Sequence, residues 1–178
     1  MKRCQLEHIL RAAAGITGAD RFVVIGSQAI LGQFADPPAE LAISMEADLY
    51  SLRSADDADL IEGSIGEESP FHQTFGYYAH GVGRETAVLP DGWNSRLVPL
   101  ATASTGGATG LCLEIHDLAV SKLVAGREKD IRFVADLFRH RFADPETIRQ
   151  RLPHTPIDQR LREGCEIRLR KAIEASFA

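Results

Sequence analysis

Two acids alternate within Ile43-Ser44-Met45-Glu46-Ala47-Asp48-Leu49-Tyr50, a run whose apolar and aromatic residues predict a strand. Side chains two apart on a strand share a face, so Glu46 and Asp48 stand with Cα atoms about 6.6 Å apart and direct both carboxylates at one spot. Acids inside a strand are costly unless they meet water or a cation. Spacing alone leaves two readings open, a solvent-facing sheet edge or a metal-binding pair. Mg2+ (or Mn2+) suits the second, because it takes one or two protein carboxylates and fills its remaining positions with water and substrate phosphates.

Upstream, Phe22-Val23-Val24-Ile25 reads as a buried strand that breaks at Gly26-Ser27 and runs into helix-competent residues. Glycine allows a phosphate close to the backbone and a serine hydroxyl can donate to it, so Gly26 and Ser27 are candidate nucleotide-binding residues, although the same pair is a common structural turn. A third pattern is Lys122 on a small, apolar helix face, followed after Gly126 by Arg127-Glu128-Lys129-Asp130. Lys122, Arg127 and Lys129 could present cations to a triphosphate, with Asp130 orienting one of them. The plainer alternative is a helix junction with local ion pairs.

Other charged and aromatic residues read as structural. Asp56-Asp57-Ala58-Asp59 fits the solvated first turn of a helix, where negative charge is favoured. His72, His80, His116 and His140 show no metal-ligand spacing and are expected at the surface or in packing. Trp93 and Arg96 form either a lip on which a base stacks or part of a packed hairpin. The three cysteines are widely separated, form no C-x-x-C pair, and read as reduced packing residues.

The elements that must position these groups follow from periodicity. Leu6, Ile9, Leu10 and Ala13 mark an opening amphipathic helix. Residues Ser27 to Phe34 read as a short helix ended by Asp36-Pro37-Pro38, and Leu52 to Glu68 as a surface helix. Strands are expected at Tyr77–Val82, Thr86–Leu89 and Arg96–Leu100. The small, Gly/Thr-rich stretch Ala101–Gly110 reads as a flexible connector between two lobes. Beyond it the chain is expected to be helical, with Asp117 capping a helix to Ala125, a second over Glu128–Arg139, a third opened by Pro145, and a last over Ile157–Phe177. The fold class is therefore α/β (α+β), a small mixed sheet flanked by helices over residues 1–110 and a helical C-terminal lobe over 111–178.

Gly26-Ser27, Glu46-Ala47-Asp48-Leu49 and Asp117-Leu118-Ala119-Val120-Ser121-Lys122-Leu123, leading into Gly126-Arg127-Glu128-Lys129-Asp130, together resemble the nucleotidyltransferase-fold proteins of the DNA polymerase β-like superfamily. Within that superfamily the likeness is to AbiEii-type toxin nucleotidyltransferases and their uncharacterised bacterial relatives, over roughly residues 20 to 140. The resemblance implies transfer of a nucleotidyl group from a nucleoside triphosphate to a hydroxyl of an RNA, protein or small-molecule acceptor, with a possible toxin or antitoxin partner. It assigns triphosphate contact to Gly26 and Ser27, Mg2+ to Glu46 and Asp48, and phosphate contact and site support to Lys122 and Asp130. The sequence departs from the pattern by Glu46 in place of Asp, and by offering only Glu85 and Asp91 near a later strand where a third acid often serves as base. A catalytically silent module that binds nucleotide or a protein partner is the alternative.

The totals agree with one globular protein. The 178 residues carry a net charge of −5, which argues against a broad nucleic-acid surface and confines any RNA contact to the arginine-bearing last third. No apolar run is long enough to span a bilayer and the first residues lack a signal-peptide core, so a cytoplasmic protein without membrane contact is expected.

Overall fold

The structure, a computed structural model, describes residues 1–177. In chain order its regular elements are α1 (Arg3–Thr17), β1 (Arg21–Ile25), α2 (Ile30–Gln33), β2 (Glu46–Ser51), α3 (Asp57–Ile65), α4 (Pro70–Phe75), β3 (Tyr78–Gly81), β4 (Val98–Leu100), β5 (Thr109–Cys112), α5 (Ile115–Ala125), α6 (Glu128–Arg139), α7 (Pro145–Arg151) and α8 (Gln159–Ala175), with short 3-10 turns between. They form two compact units, Met1–Thr86 with Leu97–Leu113, and Ala87–Arg96 with Glu114 onward.

The first unit is built on a five-stranded sheet of order β3-β2-β1-β5-β4. Its pairing is mixed: β1 runs antiparallel to β2 and parallel to β5, β2 parallel to β3, and β4 antiparallel to β5. The branched residues of β1 place it second from neither edge but at the centre, where Phe22, Val23, Val24 and Ile25 are all buried. In β2 the expected alternation holds, with Ala47 and Leu49 fully buried and Glu46 and Asp48 half-buried on the opposite face. Leu6, Ile9, Leu10 and Ala13 of α1 are buried as their spacing predicts, and α1 packs on α3 and β5. Helix α3 lies along β3, with Ile61 and Ile65 buried.

Several expected elements differ, each for a local reason. The stretch expected as a connector contains a 3-10 turn, Ala103–Thr105, capped by Thr102, and the first half of β5, which pairs with the central strand. Its small residues serve packing: a Cβ at Gly110 would lie 2.6 Å from Leu10 Cδ1, so only glycine lets α1 approach this strand. No strand forms at Thr86–Leu89, since Arg84–Thr86 is a 3-10 turn and Pro90 removes a donor and restricts the residue before it. Helix α4 was not anticipated; Ser69 caps it, Pro70 occupies its first position and Gly76 ends it in the left-handed region. Asp57 is not solvated, being 1% exposed and paired with Arg53 at 2.5 Å.

The second unit is helical, with α6 against α8, and α5 touching α6, α7 and α8. Gly126 ends α5 in the left-handed conformation, as expected. Asp117 does not cap it. Glu114 does, accepting hydrogen bonds from the His116 and Asp117 amides, while the Asp117 carboxylate is fully buried. Asp158 caps α8 through the Leu161 amide, so the helix starts after Ile157; it buries Cys165, Leu169 and Ala172, and Phe177 lies exposed beyond it. Cys112 and Cys165 are buried, but Cys4 is exposed. No helix among the described residues is long and apolar enough to cross a membrane.

Candidate functional site

Strand register assembles one cluster of ligating side chains in the first unit. The parallel β2–β3 pair sets Asp48 opposite His80, and the period of two brings Glu46 to the same face. His80 Nδ1 lies 2.9 Å from Glu46 Oε1 and 3.1 Å from Asp48 Oδ1. One ligand atom from each of Glu46, Asp48 and His80 falls within 4.8 Å of the others, and among the described residues this is the group of three arranged to hold a metal ion. The side chains are 37%, 27% and 46% exposed, so the cluster opens to solvent. His80 lies at the surface, as expected, and there its ring meets both carboxylates. No local spacing marks it, because its partners lie 32 and 34 residues upstream.

The charges in the cluster act on one another. Burial, then the neighbouring charge and hydrogen bond of Asp48, raise the Glu46 carboxyl above its ordinary range, only partly offset by His80. Burial works to lower the His80 pKa, yet the hydrogen bond and charge of Asp48, with Glu46 and Glu62, outweigh it and raise it. The Tyr78 hydroxyl is raised by burial and by the same acids. The acids make a patch of negative potential at which a positive ion is favoured.

Gly26 completes the cluster from the neighbouring strand. Its φ of +67° and ψ of −174° lie in a region open only to glycine. A Cβ at this position would stand 2.0 Å from Asp48 Oδ2, so the hydrogen side chain is what lets the backbone pass over the carboxylate. The donor set of two carboxylates and an imidazole fits a divalent cation. After Gly26 comes a 3-10 turn, Ser27–Ala29, and only one turn of α-helix, so the helix dipole expected to hold phosphate is small. What remains for an anion is the backbone and the half-buried Ser27 hydroxyl, whose oxygen accepts from Gln28 Nε2 at 3.4 Å and whose proton is thereby left to donate.

The remaining predicted residues gather in the second unit. Lys122 Nζ lies 3.1 Å from Asp130 Oδ1, and Arg127 Nε donates to Asp130 Oδ2 at 2.6 Å. Asp130 is 1% exposed; burial would raise its carboxyl, but these two cations hold it below the usual range. Lys122 also sits 5.6 Å from the centre of the Phe133 ring, and Lys129 is exposed. Arg96 is locked in a two-pronged pair with Asp117, at 2.8 and 3.0 Å, so the packed role and not the stacking lip describes it. Arg151 meets the same Asp117 carboxylate at 2.7 Å. His116 bridges Glu114 and the Asp144 amide and is structural. Glu85 is exposed in a 3-10 turn, and Asp91 lies in the second unit.

Among known families, residues 5–155 match the model described as Nucleotidyltransferase of unknown function (DUF6036). No curated protein matches the chain, nor does any solved structure.

Proposed function

From the premise that the chain belongs to this nucleotidyltransferase family and has a mixed sheet consistent with the nucleotidyltransferase fold, we propose that it is a divalent-metal-dependent enzyme transferring a nucleotidyl group from a nucleoside triphosphate to a hydroxyl acceptor. The observation that carries this reading is the convergence of Glu46, Asp48 and His80 beneath Gly26. In the reaction the acceptor oxygen attacks the α-phosphorus, the bond to the bridging oxygen of the β-phosphate breaks, pyrophosphate leaves, and the acceptor proton passes to solvent or a nearby base.

Glu46 and Asp48 would hold the metal and so direct where the triphosphate binds. A bound Mg2+ or Mn2+ supplies charge neutralisation on the transferring phosphoryl group. Gly26 admits the phosphate chain close to the backbone, and Ser27 donates its hydroxyl proton to a phosphate oxygen. In the second unit Asp130 fixes Lys122 and Arg127, and the resemblance supports a phosphate-contact role for Lys122, with Arg127 and Lys129 as further cations. An RNA acceptor fits the arginines of the last third, and the resemblance to AbiEii-type proteins supports a toxin–antitoxin setting with a partner protein.

The test offers each nucleoside triphosphate with Mg2+ or Mn2+ and a cell extract, and follows pyrophosphate. Release by the wild type that Asp48→Ala abolishes supports the reading. The silent-module alternative predicts nucleotide binding without release.

A further inference from the structure

We propose that His80 is a third ligand to the cation held by Glu46 and Asp48, and that this nitrogen makes the site select a first-row transition-metal divalent ion over Mg2+. The inference deepens the metal-dependent reading and rests on it.

The geometry comes first. Nδ1 of His80 meets oxygens of two different carboxylates, at 2.9 and 3.1 Å. Adjacent ligands around an ion that binds each at about 2.1 Å stand about 3 Å apart. The same ring nitrogen is therefore already at the separation from both oxygens that shared coordination requires.

The ring is carried on a strand with little freedom to retreat. The next residue, Gly81, donates its amide to Glu62 Oε2 at 3.1 Å, and a Cβ there would lie 2.1 Å from the Ala58 carbonyl. Helix α3 is thus pressed against the end of β3, and the register Asp48↔His80 is fixed by the strand pair itself. Position 80 is also 46% exposed, so no packing demand accounts for an imidazole there.

Chemistry sets the selectivity. Mg2+ is a hard ion that prefers oxygen and parts with water reluctantly, whereas imidazole suits Fe2+, Ni2+, Cu2+ and Zn2+, and affinity for a mixed nitrogen and oxygen site rises along the first-row series from Mn2+. With two carboxylates and one imidazole on a face, and the other face open to water and phosphates, the donor set favours a borderline ion. Binding releases any proton on Nδ1, so neutral His80 is the ligand.

The test titrates the intact protein with Mn2+ alone and Mg2+ alone, by calorimetry and by the loss of the free Mn2+ spin-resonance signal, and records pulsed spectra for coupling to 14N. The wild type should bind Mn2+ tighter than Mg2+ by about tenfold or more and show nitrogen coupling. His80→Ala should abolish the coupling and reduce the preference several-fold, with Mg2+ affinity little changed; His80→Asp, which restores an all-oxygen set, should raise Mg2+ affinity. Binding of both ions without 14N coupling, or an unchanged preference in His80→Ala, overturns the proposal and leaves the nucleotidyltransferase reading standing. Failure of the wild type to bind either ion overturns both.

Discussion

Gly26 and Asp48 stand so close that a single methyl group on the glycine would meet Asp48 Oδ2 at 2.0 Å. The cause is the antiparallel β1–β2 register, which pairs Ile25 with Asp48 and sends the next residue, in the left-handed region, directly across the carboxylate. The turn and the acid strand thus meet at one place.

Gly26→Ala should therefore lose function and stability together. A non-glycine residue in that backbone region costs about 1–3 kcal/mol, and the clash displaces Asp48. Denaturant unfolding should show a loss in that range and calorimetry a loss of Mn2+ affinity. Gly63→Ala in α3 is the control: a Cβ there meets nothing within 4 Å, and the helix should gain about 0.5–1 kcal/mol.

Asp48→Asn should separate function from folding. It removes a carboxylate of the proposed metal site and also relieves the repulsion that raises the Glu46 carboxyl. Metal binding is expected to vanish, while metal-free stability changes by no more than about 0.5 kcal/mol or rises. Parallel melts with and without Mn2+ check this: the ion should raise the wild-type midpoint and leave the variant's in place.

How much of this was legible in the sequence varied with the distance over which it was encoded. The Glu46/Asp48 face and the α1 stripe follow from local periodicity and held in the structure. The role of His80 depends on a parallel pairing that joins residues 32 apart, which no local pattern announces. Strand β5 was hidden because Gly110 exists to accommodate Leu10, and small residues read as linker. Asp117 mimicked a cap because it stands near a helix start, whereas Glu114 takes that work and frees Asp117 for burial between two arginines.

Asp117→Ala tests that burial. Its carboxylate is fully buried between Arg96 and Arg151, and removal leaves Arg96 with only the Asp91 carbonyl and Arg151 with only Glu114. The loss should be about 3–5 kcal/mol by denaturant unfolding. Exposed Glu128, paired with Arg132 at 3.3 Å, gives the contrast: Glu128→Ala should cost less than about 1 kcal/mol.

Glu114 makes stability sensitive to acid. Burial opposes its charge, but hydrogen bonds from His116 and Arg151 more than offset this and lower its pKa from 4.5 to about 2. A carboxyl depressed on folding contributes stability that is present above the unfolded value and lost as pH falls toward the folded one. The loss should fall between pH 4.5 and 2 and reach on the order of 3 kcal/mol. Stability–pH curves of wild type and Glu114→Gln check it, the variant being less stable at neutral pH and flatter across that window.

The most direct test of the account follows the fate of two labels on one nucleotide. Nucleoside triphosphate labelled at the α-phosphate, and separately at the γ-phosphate, is incubated with the protein, Mn2+ and the cell extract. The account predicts that the α-label enters an acceptor, the γ-label leaves as pyrophosphate, and Asp48→Asn stops both. Incorporation of the γ-label, or α-label transfer that is indifferent to Asp48, would contradict it.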